Sequence, residues 1–286
     1  MIDALIPPGP RGSVTAQGSA PAMPHDALGR LALRPGAVDV WVALTDAMPA
    51  ELMALLKRVL NDDERCQQTK FMFEKDRRRY LLTRALVRYV LSRYVPLQPA
   101  EWRFAATSHG RPFIVNRHPG VQGLTFNISH SDQVVVLGVT RDSALGIDVE
   151  DLQRNVPLDI AESFFSAAEV RQLQSTAPAL QARRFLDFWT LKESYIKARG
   201  KGLSLPLEQF GFELRGERQL QAHFDPCLDD APDNWTFWQW HPSPDSIAAL
   251  CVENRPGMET AITVRRTLPF AWEESMRFEA LRASST

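Results

Sequence analysis

Few cysteines, no long apolar runs and almost no net charge exclude several classes of protein at once. Cys66, Cys227 and Cys251 are the only three cysteines in 286 residues. They are widely spaced, odd in number and form no Cys-x-x-Cys pair, so neither a zinc site nor a disulfide framework is expected. They read instead as small core hydrophobes in a reducing compartment. No apolar run approaches the roughly 20 residues that cross a bilayer, and no charged start followed by an apolar stretch marks a secretory signal. The formal net charge is −1, which provides no overall field to attract nucleic acid or an anionic membrane. The expectation is a soluble, cytoplasmic protein with neither as a partner.

The chain is 44% hydrophobic, enough over this length for a full core in one or two domains. Residues 1–36 are rich in Pro, Gly and Ala without hydrophobic periodicity and read as a mobile extension. A strand follows at Val38–Leu44, then a helix from Pro49 to Leu60 and a long helix from Arg78 to Arg93. Positive charge is local: Arg77, Arg78, Arg79, Arg84 and Arg88 crowd that region. Strands are expected at Trp102–Ala105, Leu124–Ile128, Val134–Thr140 and Leu145–Glu150. Val134–Thr140 is nearly all apolar, as suits a strand covered on both faces.

The order of elements then repeats. Strand 146–152 corresponds to 38–44, and helix 183–199 to 78–93. The pair 235–240 and 247–252 corresponds to 124–128 and 134–140. A helix at Leu158–Leu173 and a strand at Phe210–Leu214 complete the second set. This order predicts an α/β (α+β) fold of two similar halves, 37–144 and 145–269, packed as a monomeric pseudo-dimer with sites at the seam. Residues 270–286, with Phe270, Trp272, Met276, Phe278 and Leu281, are expected to add a docking amphipathic helix.

Two stretches carry chemistry. At about 100° per residue, Phe185, Phe188, Trp189, Tyr195 and Ile196 form one apolar helix face. Lys192 projects from its middle, and Glu193 lies on its margin with Lys197 four residues on. Buried charges are costly unless paired or bound to an ion. In Gly146-Ile147-Asp148-Val149-Glu150, strand alternation puts Asp148 and Glu150 on one face. With Glu193 they form a three-carboxylate cluster without His or Cys, which suits Mg²⁺ or Mn²⁺ rather than zinc. Mg²⁺ is usually completed by substrate phosphates, so the cluster predicts a phosphorylated substrate.

Gly146-Ile147-Asp148-Val149-Glu150, followed about forty residues later by WTLKESYIKARGKG at 189–202, resembles the Sfp-type 4′-phosphopantetheinyl transferases. Supporting matches lie upstream in order: Glu64-Arg65-Cys66, DRRRYLL at 76–82, HGRPFI at 109–114 and FNISHSD at 126–132. The resemblance covers residues 38 to about 255. It implies transfer of 4′-phosphopantetheine from coenzyme A to a serine of an apo acyl or peptidyl carrier protein, with release of 3′,5′-ADP. Such carriers serve fatty-acid, polyketide or nonribosomal peptide synthesis. Carried over residue by residue, it implies that Asp148, Glu150 and Glu193 hold the metal, and that Glu193 also helps remove the serine proton. Lys197 would contact the phosphate and the departing nucleotide. Arg65, Arg79, Arg111, Ser129, His130, Lys192 and Lys201 would bind coenzyme A. A carrier helix would dock near Phe164, Phe165 and the segment after Gly202. A metal-dependent phosphodiesterase is the rival for an acidic cluster plus a lysine, disfavoured by the lack of a basic tract interleaved with aromatics.

Overall fold

The computed structural model describes residues 29–284. The sheet that opens the chain runs in the order β12-β11-β1-β5-β4. Strands β1 (Ala37–Leu44) and β5 (Val134–Arg141) are central in it, and β4 (Leu124–His130) forms one edge. Helices α1 (Ala50–Arg58), α2 (Asp62–Thr69) and α3 (Glu74–Leu91) cover one face. Strand alternation divides β1 cleanly. Trp41 and Ala43 enter the core beneath the helices, while Val38, Val40 and Val42 face the other way. The short hairpin β2 (Phe104–Ala106) and β3 (Pro112–Ile114) stands apart as its own two-stranded sheet.

The second sheet runs β6-β10-β9-β13-β8-β7. Strand β6 is Leu145–Asp151, and the chain then passes through α4 (Ala161–Phe164), α5 (Ala167–Gln174) and α6 (Pro178–Arg199). Strands β7 (Phe210–Arg215), β8 (Gln219–Phe224), β9 (Trp235–Trp240) and β10 (Ser246–Glu253) follow. Antiparallel neighbours β1-β5-β4 of the first sheet reappear as β6-β10-β9, with α3 and α6 as the matching long helices. A third apolar core lies between the sheets. It joins Val38, Val40, Val134 and Val136 to Ile147, Val149, Leu250 and Val252. The layers therefore run helix, sheet, sheet, helix, and β5 is covered on both faces.

Four expectations need correction. The segment 158–173 is not one helix: Ser166 accepts from the Glu169 N–H and Glu169 accepts from the Ser166 N–H, a capping box that starts α5 afresh. The tail is not a helix, because its apolar residues serve three different cores. Phe270 meets the first, Phe278 packs on Trp240 in the central one, and Leu281 joins the second. Accordingly it forms β12 (Trp272–Met276) and β13 (Arg282–Ser284). Nor do the sheets divide at the expected boundary. Strand β11 (Ala261–Leu268) returns to pair in parallel with β1, and β12 pairs with β11. Finally, residues 1–28 of the expected mobile extension lie outside the described residues, while its last part is tied down. Leu31 and Leu33 pack on the first core, and the Leu31 N–H donates to the Arg93 carbonyl at 2.7 Å.

Candidate active site

The edge strands β4 and β6 of the two sheets meet along the seam. Alternate residues of β4 and the turn after it reach across: Asn127 Oδ1 accepts from the Ile147 N–H (2.9 Å), Ser129 Oγ donates to Asp148 Oδ1 (2.9 Å) and Ser131 Oγ donates to Asp151 Oδ1 (2.7 Å). Helix α6 lies directly on β6. A Cβ on Gly146 would collide with the Ser194 carbonyl oxygen and the Ala198 nitrogen, so only glycine permits this backbone approach. Gly146, Asp148 and Glu150 share the strand face beneath the helix, while Leu145, Ile147 and Val149 enter the central core. Glu193 and Lys197, one helical turn apart, are thereby brought to the two strand carboxylates.

A cleft of about 290 Å³ opens at this place. Arg79, Arg111, Ser129, His130, Asp148, Glu150, Glu193 and Lys197 all line it. Lys197 Nζ donates to Asp148 Oδ1 at 2.6 Å and to Ser129 Oγ at 2.8 Å. Burial opposes the Lys197 charge, but Asp148 and Glu193 more than offset it and hold its pKa above the usual lysine value. Glu193 and Glu150 are each pushed up to about 7, first by burial and then by the Asp148 charge. Glu150 forms an ion pair with Arg154. Arg79 pairs with Asp76 (2.8 Å) and Asp132 (2.7 Å). Arg111 donates to the Ala198 carbonyl (2.9 Å) near the end of α6, tying the hairpin of the first half to the helix of the second.

The donor set fits a hard divalent cation. It consists of carboxylates alone, and two buried oxygens, Asp148 Oδ2 and Glu193 Oε1, have no hydrogen-bond partner. Among the described residues, no three His, Cys, Asp or Glu side chains stand ready grouped to hold an ion; Glu150 is engaged with Arg154 instead.

Three sequence-predicted binders do not line the cleft. Lys192, 1% exposed, turns away from it into the second core, where Nζ donates to Glu169 Oε2 (2.8 Å) and the Phe210 carbonyl (2.5 Å). It also lies over the Phe210 ring. Burial lowers its pKa, with Glu169 opposing the fall. Arg65 is occupied by Asp62 (2.6 Å) and the carbonyls of Lys57 and Leu60, and Lys201 is exposed to solvent. The expected docking residue Phe165 is buried against Phe185 and Phe188 and presents no surface.

Sequence reading missed other lining residues: Phe71, Tyr80, Arg84, His109, Arg154 and Trp189. Arg84 was visible as part of an arginine-rich segment, with no signal to separate it from a solvated face. Here it lies over the Tyr80 ring, which contacts Phe71. No helix of the described residues is long and apolar enough to cross a membrane.

A family model described as the 4′-phosphopantetheinyl transferase superfamily matches residues 144–252. A second, described as 4′-phosphopantetheinyl transferase, N-terminal, matches residues 46–141. The 4′-phosphopantetheinyl transferase ffp of Bacillus subtilis is 39% identical over 169 residues, covering 58% of this chain and 72% of that protein. The transferase Sfp of B. subtilis strain 168 is 37% identical over 168 residues, covering 57% and 71%. HetI of Nostoc sp. is 29% identical over 216 residues, covering 75% and 87%. A solved holo-[acyl-carrier-protein] synthase from Thermotoga maritima superposes at a TM-score of 0.32 and 22% identity, covering 39% of this chain and 63% of that one. At that score the likeness carries no argument.

Proposed function

The chain belongs to the 4′-phosphopantetheinyl transferase superfamily and is an enzyme of that kind, and from this premise we propose how its seam performs the transfer. The donor is coenzyme A, bound in the cleft between the halves, and the acceptor is a serine of an apo acyl or peptidyl carrier protein. The serine Oγ attacks the β-phosphorus of coenzyme A. The bond from that phosphorus to the bridging oxygen breaks, phosphopantetheine stays on the serine, and 3′,5′-ADP departs with the bonding electron pair.

What carries this reading is the constellation across the seam: Lys197 bonded to Ser129 and Asp148, with Glu193 Oε1 buried and unpartnered beside them. Glu193, whose Oε1 is buried without a partner, can accept the serine proton. Lys197 stabilises the oxygen of the departing nucleotide, because an ammonium fixed beside developing negative charge in a water-poor site needs little reorganisation. Arg79, Arg111, Ser129 and His130 supply the walls that orient the phosphates. Mg²⁺, or Mn²⁺ in its place, held by Asp148, Glu150 and Glu193, would neutralise the charge of the pyrophosphate. Both halves contribute walls, so a single chain suffices.

Calorimetry with coenzyme A and chromatography of the nucleotide product test the reading. Coenzyme A is expected to bind in Mg²⁺ and more weakly in EDTA, with 3′,5′-ADP formed only when an apo carrier is added. Absence of binding, or hydrolysis of bis-p-nitrophenyl phosphate without any carrier-dependent product, would overturn it.

A further inference from the structure

Arg154 is a cleft residue that the transfer chemistry above leaves without a task. It follows the end of β6, lines the cleft and forms an ion pair with Glu150, the residue four positions before it. Asp151, nearer in sequence, is engaged with the neighbouring turn instead: Ser131 Oγ and the Asp132 N–H donate to its two oxygens, at 2.7 and 2.9 Å. Arg154 reaches back along the strand end to Glu150. The two basic groups on the metal-binding carboxylates differ in kind. Lys197 stands on a long buried helix and is held by two partners, whereas the Arg154 side chain is 39% exposed and has solvent to swing into. Meanwhile Asp148 Oδ2 and Glu193 Oε1 are buried without a partner. Three carboxylates are thus balanced by two basic groups, and the loose one sits on Glu150.

We propose that Arg154 is the exchangeable counter-ion of this site, holding Glu150 until a divalent cation takes the carboxylate and releasing it on that event. The inference rests on the carboxylate cluster being the metal site, as proposed above. Arg154 competes with the cation for one carboxylate, so it weakens metal binding in the absence of substrate. Once displaced, its guanidinium remains at the cleft wall, where it adds positive charge facing an incoming polyphosphate. Metal occupancy and anion recruitment are coupled through one side chain.

Mn²⁺ titrations of the full chain without nucleotide, followed by electron paramagnetic resonance, test this directly. R154Q is expected to bind Mn²⁺ about tenfold more tightly, since a like charge is removed from a partly buried site. R154K, which keeps the charge, should stay close to the wild type, and E193Q should bind more weakly. Unchanged or weaker binding by a folded R154Q, while the wild type binds Mn²⁺, would overturn the role of Arg154 alone. A folded wild type that binds no Mn²⁺ either without nucleotide or with coenzyme A added would overturn the metal site itself.

Discussion

Two lysines on α6, five residues apart, meet opposite fates because of the side of the helix each occupies. Lys197 faces β6 and the cleft, whereas Lys192 faces α5 and β7. The Lys192–Glu169 pair is almost wholly out of water, at 1% and 0% exposure, and breaking such a pair leaves one buried charge uncompensated. K192M is therefore expected to lower the unfolding free energy by about 3–5 kcal/mol. Only part of that should return in K192M/E169Q, read by urea denaturation, because glutamine keeps one of the two oxygens that accept from the Ser166 and Phe212 N–H groups; a K192M variant as stable as the wild type would show that the pair contributes nothing. The carboxylates give a second prediction. A native pKa raised from 4.5 to about 7 means that the folded protein holds these protons more tightly than the unfolded chain. Their contribution to stability is therefore present below pH 4.5 and lost as pH rises to 7. In EDTA, stability should fall between pH 5 and pH 7.5 as the coupled pair gives up its protons. E193Q should flatten the slope, and Mg²⁺ should restore the wild type at pH 7.5.

Among the elements, the contact of α6 with β6 decides whether a site exists. G146A places a methyl group against the backbone of Ser194 and Ala198, which cannot yield as a flexible side chain would. An overpacking loss of about 1–3 kcal/mol is expected, together with transfer activity reduced well beyond what the residual folded fraction explains. Thermal melts beside initial rates would separate the two effects. The alternation of Gly146, Asp148 and Glu150 was legible because a strand has a period of two and only one face accepts α6. The period of helix α6 was legible too, but not the destination of each polar group around it. Lys192 and Lys197 look alike in sequence, and only the packed position of Glu169 distinguishes a core ion pair from a cleft residue. Arg154 was illegible for a similar reason: its place on the cleft wall beside Glu150 comes from the packed seam and not from any pattern in the sequence. The tail was misread because its apolar residues mimic an amphipathic helix while serving three separate cores.

In the whole molecule, two sheets that share a three-strand order, β1-β5-β4 and β6-β10-β9, are laced together by the returning end of the chain. Strands β11 and β12 extend the first sheet, and β13 stands between β9 and β8 in the second. Among the described residues, the β7–β8 hairpin is hydrogen-bonded into its sheet through β13. Removing residues 280–286 should therefore loosen β7 and β8 before the rest of the fold. Hydrogen exchange would show lost protection at Phe210–Phe224, with β1, β4 and β5 retained; uniform loss throughout would show that the tail stabilises the molecule generally instead. The element repeat was legible because chain order survives where sequence similarity does not. The strand exchange that closes the fold leaves no such mark.

The proposed transfer at the seam is tested most directly by intact-mass spectrometry of an apo carrier protein incubated with this enzyme, coenzyme A and Mg²⁺. The carrier is expected to gain one phosphopantetheine group, and the gain should disappear with EDTA or in E193Q. A gain that persists undiminished in folded E193Q and K197A would place the chemistry elsewhere and contradict the site described above.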